Sequence, residues 1–222
     1  MKASAVAHPI QGLIKYHGLR DEVLRLPYHD SISVATSPTA SHTTIEFGDF
    51  EADRAELDSR VLDGREMERV VSVVDEVRRR AESKARFRMR SINNFPSNVG
   101  LGSSASGFAA LALASSEALG LCLTLEQVSV IARRGAGSAT RSVTGAFSRW
   151  KAGHDDEESY SSQIAAEDFE MGIVVALVPA FKYTESAHRA VLGSPFFHSR
   201  LAYIHGALAE MESAIRKRDI DR

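Results

Sequence analysis

Between Asn93 and Ala112 the chain reads NNFPSNVGLGSSASGFAALA: a proline, a run of glycines and serines, then an alanine-rich stretch without a break. Few folds accommodate such a segment. Alanine is the best helix former, so the second half favours a helix, and the glycines ahead of it let the backbone take positive φ and let another molecule approach the main chain closely. The helix turns its unpaired N–H groups and the positive end of its dipole toward the loop, and serines add hydroxyls at little steric cost. Such a site suits an anion, phosphate above all. An ordinary turn capped by Ser103 or Ser104 needs one or two residues of this kind. Here Gly100, Gly102, Ser103, Ser104, Ser106 and Gly107 crowd together, and that density favours the anion site. No G-x-x-x-x-G-K-[ST] occurs, so the loop is not a Walker A loop and its cation must come from elsewhere.

With 222 residues, 44% of them hydrophobic and 25% charged, the chain can bury a core and fits one large domain, or one domain with part of another. A formal charge of −2 offers no basic face for nucleic acid, and Arg78-Arg79-Arg80 reads as solvated helix surface. One cysteine, Cys122, excludes an internal disulfide framework and a Cys-based zinc cluster. The eight histidines show no metal-ligand spacing. MKASAVAHPIQG lacks the apolar core and cleavage site of a signal peptide, and no run of about 20 apolar residues follows. The expectation is a cytoplasmic protein without membrane contact.

SISVAT (Ser31–Thr36) and HTTIEF (His42–Phe47) read as paired strands of a half-buried sheet. Met67, Val70, Val71, Val74, Val77 and Ala81 recur at helical spacing, and RFRMRSI (Arg86–Ile92) alternates as a strand that delivers the chain to the glycine-serine loop. After the loop, Phe108, Leu111, Ala112, Ser115 and Leu119 mark the packing side of a helix stopped by Gly120. Thr124 and Gln127 form a capping box for a helix with Val128, Ile131 and Ala132 inside. A third helix is expected from near Ser138 to Lys151, an exposed loop at HDDEESYSSQ, and a buried strand in MGIVVALVPA from Met171. Leu201, Ile204, Leu208, Met211 and Ile215 give a last amphipathic helix, on which His205 is packed or partly exposed. Trp150 and Phe196-Phe197 read as core or interface anchors rather than platforms for a base. The class is α+β with helices to one side of mixed strands.

PSNVGLGSSASGFAALA resembles the P-x-x-x-G-L-G-S-S-A-S signature of the GHMP kinase superfamily, and with NNF ahead of it is similar to the mevalonate diphosphate decarboxylase branch. Two further stretches agree. IKYHGLRDEVLRLPYHDSISV (Ile14–Val34) resembles that branch's I-K-Y-W-G-K-R-D…L-P…S-I-S-V, and RRGAGSATRSVTGAF (Arg133–Phe147) its A-R-x-G-S-G-S-A-x-R-S-x-x-G-G-F. HPIQGLIKYHG with LPYHDSISV looks closest to archaeal-type phosphomevalonate decarboxylases.

The resemblance implies a domain like ribosomal protein S5 domain 2 over residues 1–180, and the beginning of a ferredoxin-like domain over 181–222, with the site between them. It implies an enzyme that uses ATP and Mg²⁺ to phosphorylate the tertiary hydroxyl of mevalonate 5-phosphate or 5-diphosphate. Loss of that phosphate then drives decarboxylation to an isopentenyl product. It also implies a homodimer, and a catalytic aspartate in a D-x-G-x-x-x motif that would follow Arg222. A mevalonate 3-kinase and a non-catalytic nucleotide-binding relative are the alternatives. By the same resemblance, main-chain amides from Gly100 to Ala105 would cradle the ATP phosphates, and Asn94, Pro96, Gly100, Gly102, Ser103, Ala105 and Ser106 would line the nucleotide pocket. The Ser104 hydroxyl would approach Mg²⁺, Lys15 would act beside the reacting hydroxyl, and Tyr16, Ser138 and Arg141 would hold the substrate. Leu19 stands where the diphosphate-using enzymes carry a second lysine, His17 where they carry tryptophan, and Ala136 where they carry serine. Losing that lysine should favour the monophosphate, unless Arg20 compensates.

Overall fold

A computed structural model describes residues 1–97, 99–165, 171–176 and 190–219. In chain order the described elements are β1 (Lys2–Ala7), β2 (Ile10–Ile14), β3 (Leu19–Asp21), β4 (Leu26–Pro27), β5 (Ser31–Ala35), β6 (Ser41–Gly48), β7 (Arg54–Leu57), β8 (Arg60–Val61), α1 (Gly64–Arg80), β9 (Arg86–Asn93), α2 (Ser103–Ala118), α3 (Leu125–Gly135), α4 (Ala139–Thr144), β10 (Phe147–Trp150), β11 (Ser161–Ala165) and α5 (Phe197–Lys217).

The period of two in HTTIEF and RFRMRSI produces the main sheet. β6 and β9 pair antiparallel with Ile45 opposite Met89 and Phe47 opposite Phe87, so the apolar members share one face. β1 flanks β6 and the β7–β8 ribbon flanks β9, which gives the order β1-β6-β9-β7-β8, with β7 parallel to β9. α1 lays Val70, Val73, Val74 and Val77 into the same core. α2 is buried almost all round, and its alanines at 105, 109, 110, 112, 114 and 118 let sheet and neighbouring helices approach it closely. The capping box holds at the start of α3: Gln127 N donates to Thr124 Oγ1 at 3.3 Å, and Thr124 N donates to Gln127 Oε1 at 2.9 Å.

A second sheet, β11-β10-β5-β2, carries a separate apolar cluster. Ile32, Val34 and Phe147 from its strands meet Ile204, Leu208 and Ile215 of α5, the last amphipathic helix of the sequence reading. The sequence pattern alone pairs β5 with β6, but they lie in different sheets: β5 pairs with β2 and β10, and β6 with β1 and β9. KASAVA, beside β6, is half alanine, and IQGLI, beside β5, is interrupted by Gly12, so neither stands out as a strand.

Five other expectations are corrected. The helix from Ser138 to Lys151 ends at Thr144, because Gly145 turns out at φ 65° and Phe147–Trp150 becomes β10. The loop HDDEESYSSQ closes into β11 at Ser161, with Ser159 and Ser161 buried. Residues 171–176 are irregular; Met171 packs against the second apolar cluster, but 172–176 are exposed, Val174 at 97%, and the rest of MGIVVALVPA lies outside the described residues. Phe197 is an anchor against Tyr28, but Phe196 is 76% exposed. The arginine triplet is not solvated throughout either, since Arg78 forks onto Asp53 at 2.7 and 2.9 Å and Arg80 reaches Glu76 at 2.8 Å.

Candidate active site

β9 runs into the glycine-serine loop, and asparagines hold the loop in shape. Asn94 accepts from Ala40 N at 2.7 Å and donates from Nδ2 to Pro38 O at 2.9 Å, while Asn93 donates from Nδ2 to Ser97 Oγ at 2.9 Å. Pro96 is exposed on this loop. Gly102 is the N-cap of α2 in the left-handed region, φ 82°. A Cβ there would come within 3.2 Å of Ile10 O, so positive φ and close approach to β2 both require glycine. Gly100, also at φ 82°, faces open space.

The neighbouring residues divide into two roles. Ser104 is exposed and, with Ser103, borders a cleft of about 690 Å³ that includes the solvent at its mouth. Ala105 and Ser106 instead turn inward. The Ala105 amide donates to Gly102 O at 2.9 Å, so it closes the helical turn rather than facing a ligand. The Ser106 hydroxyl is fully buried against Ser41 Oγ at 2.6 Å, fastening α2 to β6.

The cleft changes character along its walls, with Asn93, Ser97 and the serines of α2 giving way to Leu57, Met89 and Phe108. Arg69 stacks over the Phe108 ring at 4.6 Å and donates from Nε to Gly135 O at 2.8 Å. A Cβ on Gly135 would lie 2.2 Å from that ring, so glycine makes room for the wall. An apolar slot ending in a helix N-terminus suits a base at one end and phosphates at the other.

A second cluster of side chains forms where α3 turns into α4. Arg141 is only 2% exposed, and its Nε and Nη1 have no hydrogen-bond partner among the described residues. Its guanidinium lies 5.7 Å from the Tyr16 ring and 5.9 Å from Trp150, and these two rings meet edge to face at 4.8 Å. A Cβ on Gly137 would lie 2.7 Å from the Tyr16 hydroxyl, so glycine lets the turn close over the pair. Burial pulls the arginine down to about 10, with Tyr16 opposing, so it remains a cation at neutral pH. Burial likewise pushes the Tyr16 hydroxyl above its usual range, against the pull of Arg141, Arg25 and Arg69. Arg133, from the same motif, is equally buried but satisfied: it donates to Leu24 O at 2.8 Å and pairs with Asp156. Of these two buried arginines, Arg141 is the one without an acid among the described residues.

Ser138 sits half-buried at the N-cap of α4 and makes no capping bond. Lys15 is exposed just past β2, its stem lying where a Cβ on Gly12 would be, 2.7 Å from Lys15 Cγ. Leu19 faces Pro27 in the β3–β4 ribbon. Arg20 is committed elsewhere, donating to the carbonyls of Pro27, Ala152, Gly153 and His154, and so is not free to replace the missing lysine.

Residues 7–161 match the family described as Diphosphomevalonate decarboxylase-like N-terminal domain. The chain belongs to the diphosphomevalonate decarboxylase family. A phosphomevalonate decarboxylase of Haloferax volcanii is 49% identical over 223 residues, covering 100% of this chain and 69% of the relative. The human diphosphomevalonate decarboxylase is 34% identical, covering 93% of this chain and 57% of its own length. Among solved structures, the mevalonate diphosphate decarboxylase from Enterococcus faecalis superposes with a TM-score of 0.87 at 30% identity, covering 99% of this chain and 68% of that one. Another, MDDEF in complex with MVAPP, AMPPCP and magnesium, superposes at 0.85 with 31% identity, covering 99% and 69%.

In this member of the diphosphomevalonate decarboxylase family, the sequence motifs single out the loop, Lys15, Tyr16, Ser138 and Arg141. They miss the parts that give those residues their setting: the Arg69–Phe108 wall, the Trp150 shelf and the glycines at 135 and 137. Gly135 and Gly137 stand inside the quoted RRGAGSATRSVTGAF, so the signal was present there but had no partner to be read against.

Proposed function

We propose that this chain carries the nucleotide and substrate sites of an enzyme that uses ATP and Mg²⁺ to decarboxylate a phosphorylated mevalonate, mevalonate 5-phosphate before the 5-diphosphate. The observation that carries the reading is Arg141, a buried cation packed beside two aromatic rings with no acid among the described residues, because an anion would offset the cost of burying its charge. A ligand with a carboxylate and a phosphate supplies one, and Ser138 one turn earlier adds a hydroxyl.

The N-terminus of α2 holds the nucleotide phosphates, and Gly100 and Gly102 let them approach the main chain. Ser103 and Ser104 offer hydroxyl oxygens of the kind Mg²⁺ accepts alongside phosphate and water. Mg·ATP supplies the phosphoryl group that turns the substrate's tertiary hydroxyl into a leaving group. Lys15 provides mobile positive charge at the reacting end, and positioning with charge neutralisation is most of what phosphoryl transfer asks of a protein. Leu19 and the committed Arg20 leave the distal phosphate short of a cation, which favours the monophosphate.

The division near residue 180 into an ATP-binding domain and the start of a ferredoxin-like domain belongs to this proposal, as do a homodimer and a cytoplasmic location; no helix among the described residues is long and apolar enough to cross a membrane. Calorimetric titration of mevalonate 5-phosphate into wild type and Arg141→Met tests the reading. Binding should weaken at least tenfold in the variant, and equal affinity would remove Arg141 from the site.

A further inference from the structure

The segment Lys15–Gly18 is held from the far end of the chain. Arg200, in the first turn of α5, donates from Nη2 to Lys15 O at 2.9 Å across 185 residues of sequence. Its Nε is buried without a partner, and no carboxylate pairs with it among the described residues. The lead-in to α5 adds two apolar contacts. Leu192 lies where a Cβ on Gly18 would be, 2.7 Å from Leu192 Cδ2, and the Phe197 ring meets Tyr28 edge to face at 5.1 Å. Next to Tyr28, His29 is 2% exposed and uses Nδ1 on Asp30 O at 2.6 Å, while its buried Nε2 has no partner among the described residues.

A surface arginine used only for solubility would keep its guanidinium in water, and one used for stability would be given an acid. Arg200 has neither. The acceptor the fold gives it is the main-chain carbonyl of the one lysine that the KYHG motif sets beside the reacting group. A charge-assisted bond to that carbonyl fixes the peptide that leads from Lys15 into Tyr16, and with it the direction in which both side chains leave the backbone.

We propose that Arg200 is a positioning residue: from α5 it sets the backbone of Lys15 and Tyr16, so that α5 completes the geometry of the reacting end without touching substrate. This rests on the role given to Lys15 under the proposed function. A displacement of about 1 Å in a reacting group costs on the order of 100-fold in rate, so a single backbone bond can matter at that scale.

The test compares wild type, Arg200→Met and Arg200→Lys in the full-length protein, with methionine keeping most of the stem and lysine restoring one donor. In Arg200→Met, kcat with mevalonate 5-phosphate should fall by about 30- to 100-fold while KM for Mg·ATP, bound in the separate cleft, stays within about twofold; Arg200→Lys should recover about tenfold of the loss. A second readout needs no turnover: the ¹³C resonance of reductively methylated Lys15 should shift in Arg200→Met and return toward wild type in Arg200→Lys. If wild type is inactive, the proposed function fails and the Lys15 resonance alone decides the positioning role. A folded Arg200→Met protein with wild-type kcat, or with a Lys15 resonance indistinguishable from wild type, overturns the proposal. So does a loss of kcat matched by an equal loss of nucleotide affinity, which marks a general loosening of the fold.

Discussion

A guanidinium taken out of water with no acid beside it destabilises the protein that contains it, and among the described residues Arg141 has none. Replacing it with an apolar side chain of similar length removes the buried charge and keeps the packing against Tyr16 and Trp150. Arg141→Met should therefore leave Tm unchanged or raise it by a few degrees, while kcat/KM falls by about 100- to 1000-fold. Calorimetric melting and turnover on the same preparation check both halves, and a lower Tm with unchanged activity would assign Arg141 to the fold. The two serines of the loop should separate in the opposite sense. Ser104→Ala should weaken Mg·ATP and leave stability alone, since the residue is exposed at the cleft. Ser106→Ala should cost about 1 kcal/mol of stability, because it removes the buried bond to Ser41, whose hydroxyl keeps only its bond to Asn93. At this scale the motif was readable and the direction of each side chain was not. G-L-G-S-S-A-S marks where an anion fits, but two positions along a helix rotate a hydroxyl from cleft to core, and only the packing against β6 determines which serine does which.

The elements fell out of the sequence where a long period repeats. The valines of α1, the alternation in β9 and the apolar stripe of α5 are each set by a single repeating face. Pairing was illegible where the partner strand is made of small residues, as in β1, or is interrupted by a glycine, as in β2, and helix length was overestimated where Gly145 ends α4 and starts β10. The clamp between α1 and the main sheet was hidden in an arginine triplet that resembles surface. Asp53 receives Arg78 in two bonds and the Phe87 amide at 2.9 Å. Burial alone would raise its carboxyl, yet these bonds outweigh it and hold the group below the usual carboxylate range. A carboxylate with a depressed folded pKa stabilises above its unfolded value and loses that stability as pH falls through the folded one, here below about 4. Asp53→Asn should therefore cost about 1–3 kcal/mol at pH 7 by urea unfolding, and progressively less as the pH is lowered and the wild-type carboxylate takes up its proton. A cost that does not shrink with acid would show that the residue acts through packing.

At the scale of the whole molecule, α2 is embedded in the first of two hydrophobic clusters. Its N-terminus borders the cleft, and Gly102 lies on β2, whose far end carries Lys15 and Tyr16. α4 brings Arg141 to the same region, and α5 closes it from the second sheet. The α+β class and the family were legible because three ordered motifs each carry a chemical requirement; how the two sheets divide the strands was not, because that depends on contacts far apart in sequence. The central claim, ATP-dependent decarboxylation with preference for the shorter phosphate, is tested most directly by CO₂ release. Full-length wild type and Leu19→Lys should be assayed with Mg·ATP on mevalonate 5-phosphate and 5-diphosphate, and kcat/KM compared. Wild type should release CO₂ from both and favour the monophosphate, and Leu19→Lys should move the ratio about tenfold toward the diphosphate, as one added charge-assisted contact would. No ATP-dependent CO₂ from either substrate, or a wild-type preference for the diphosphate, would contradict the account.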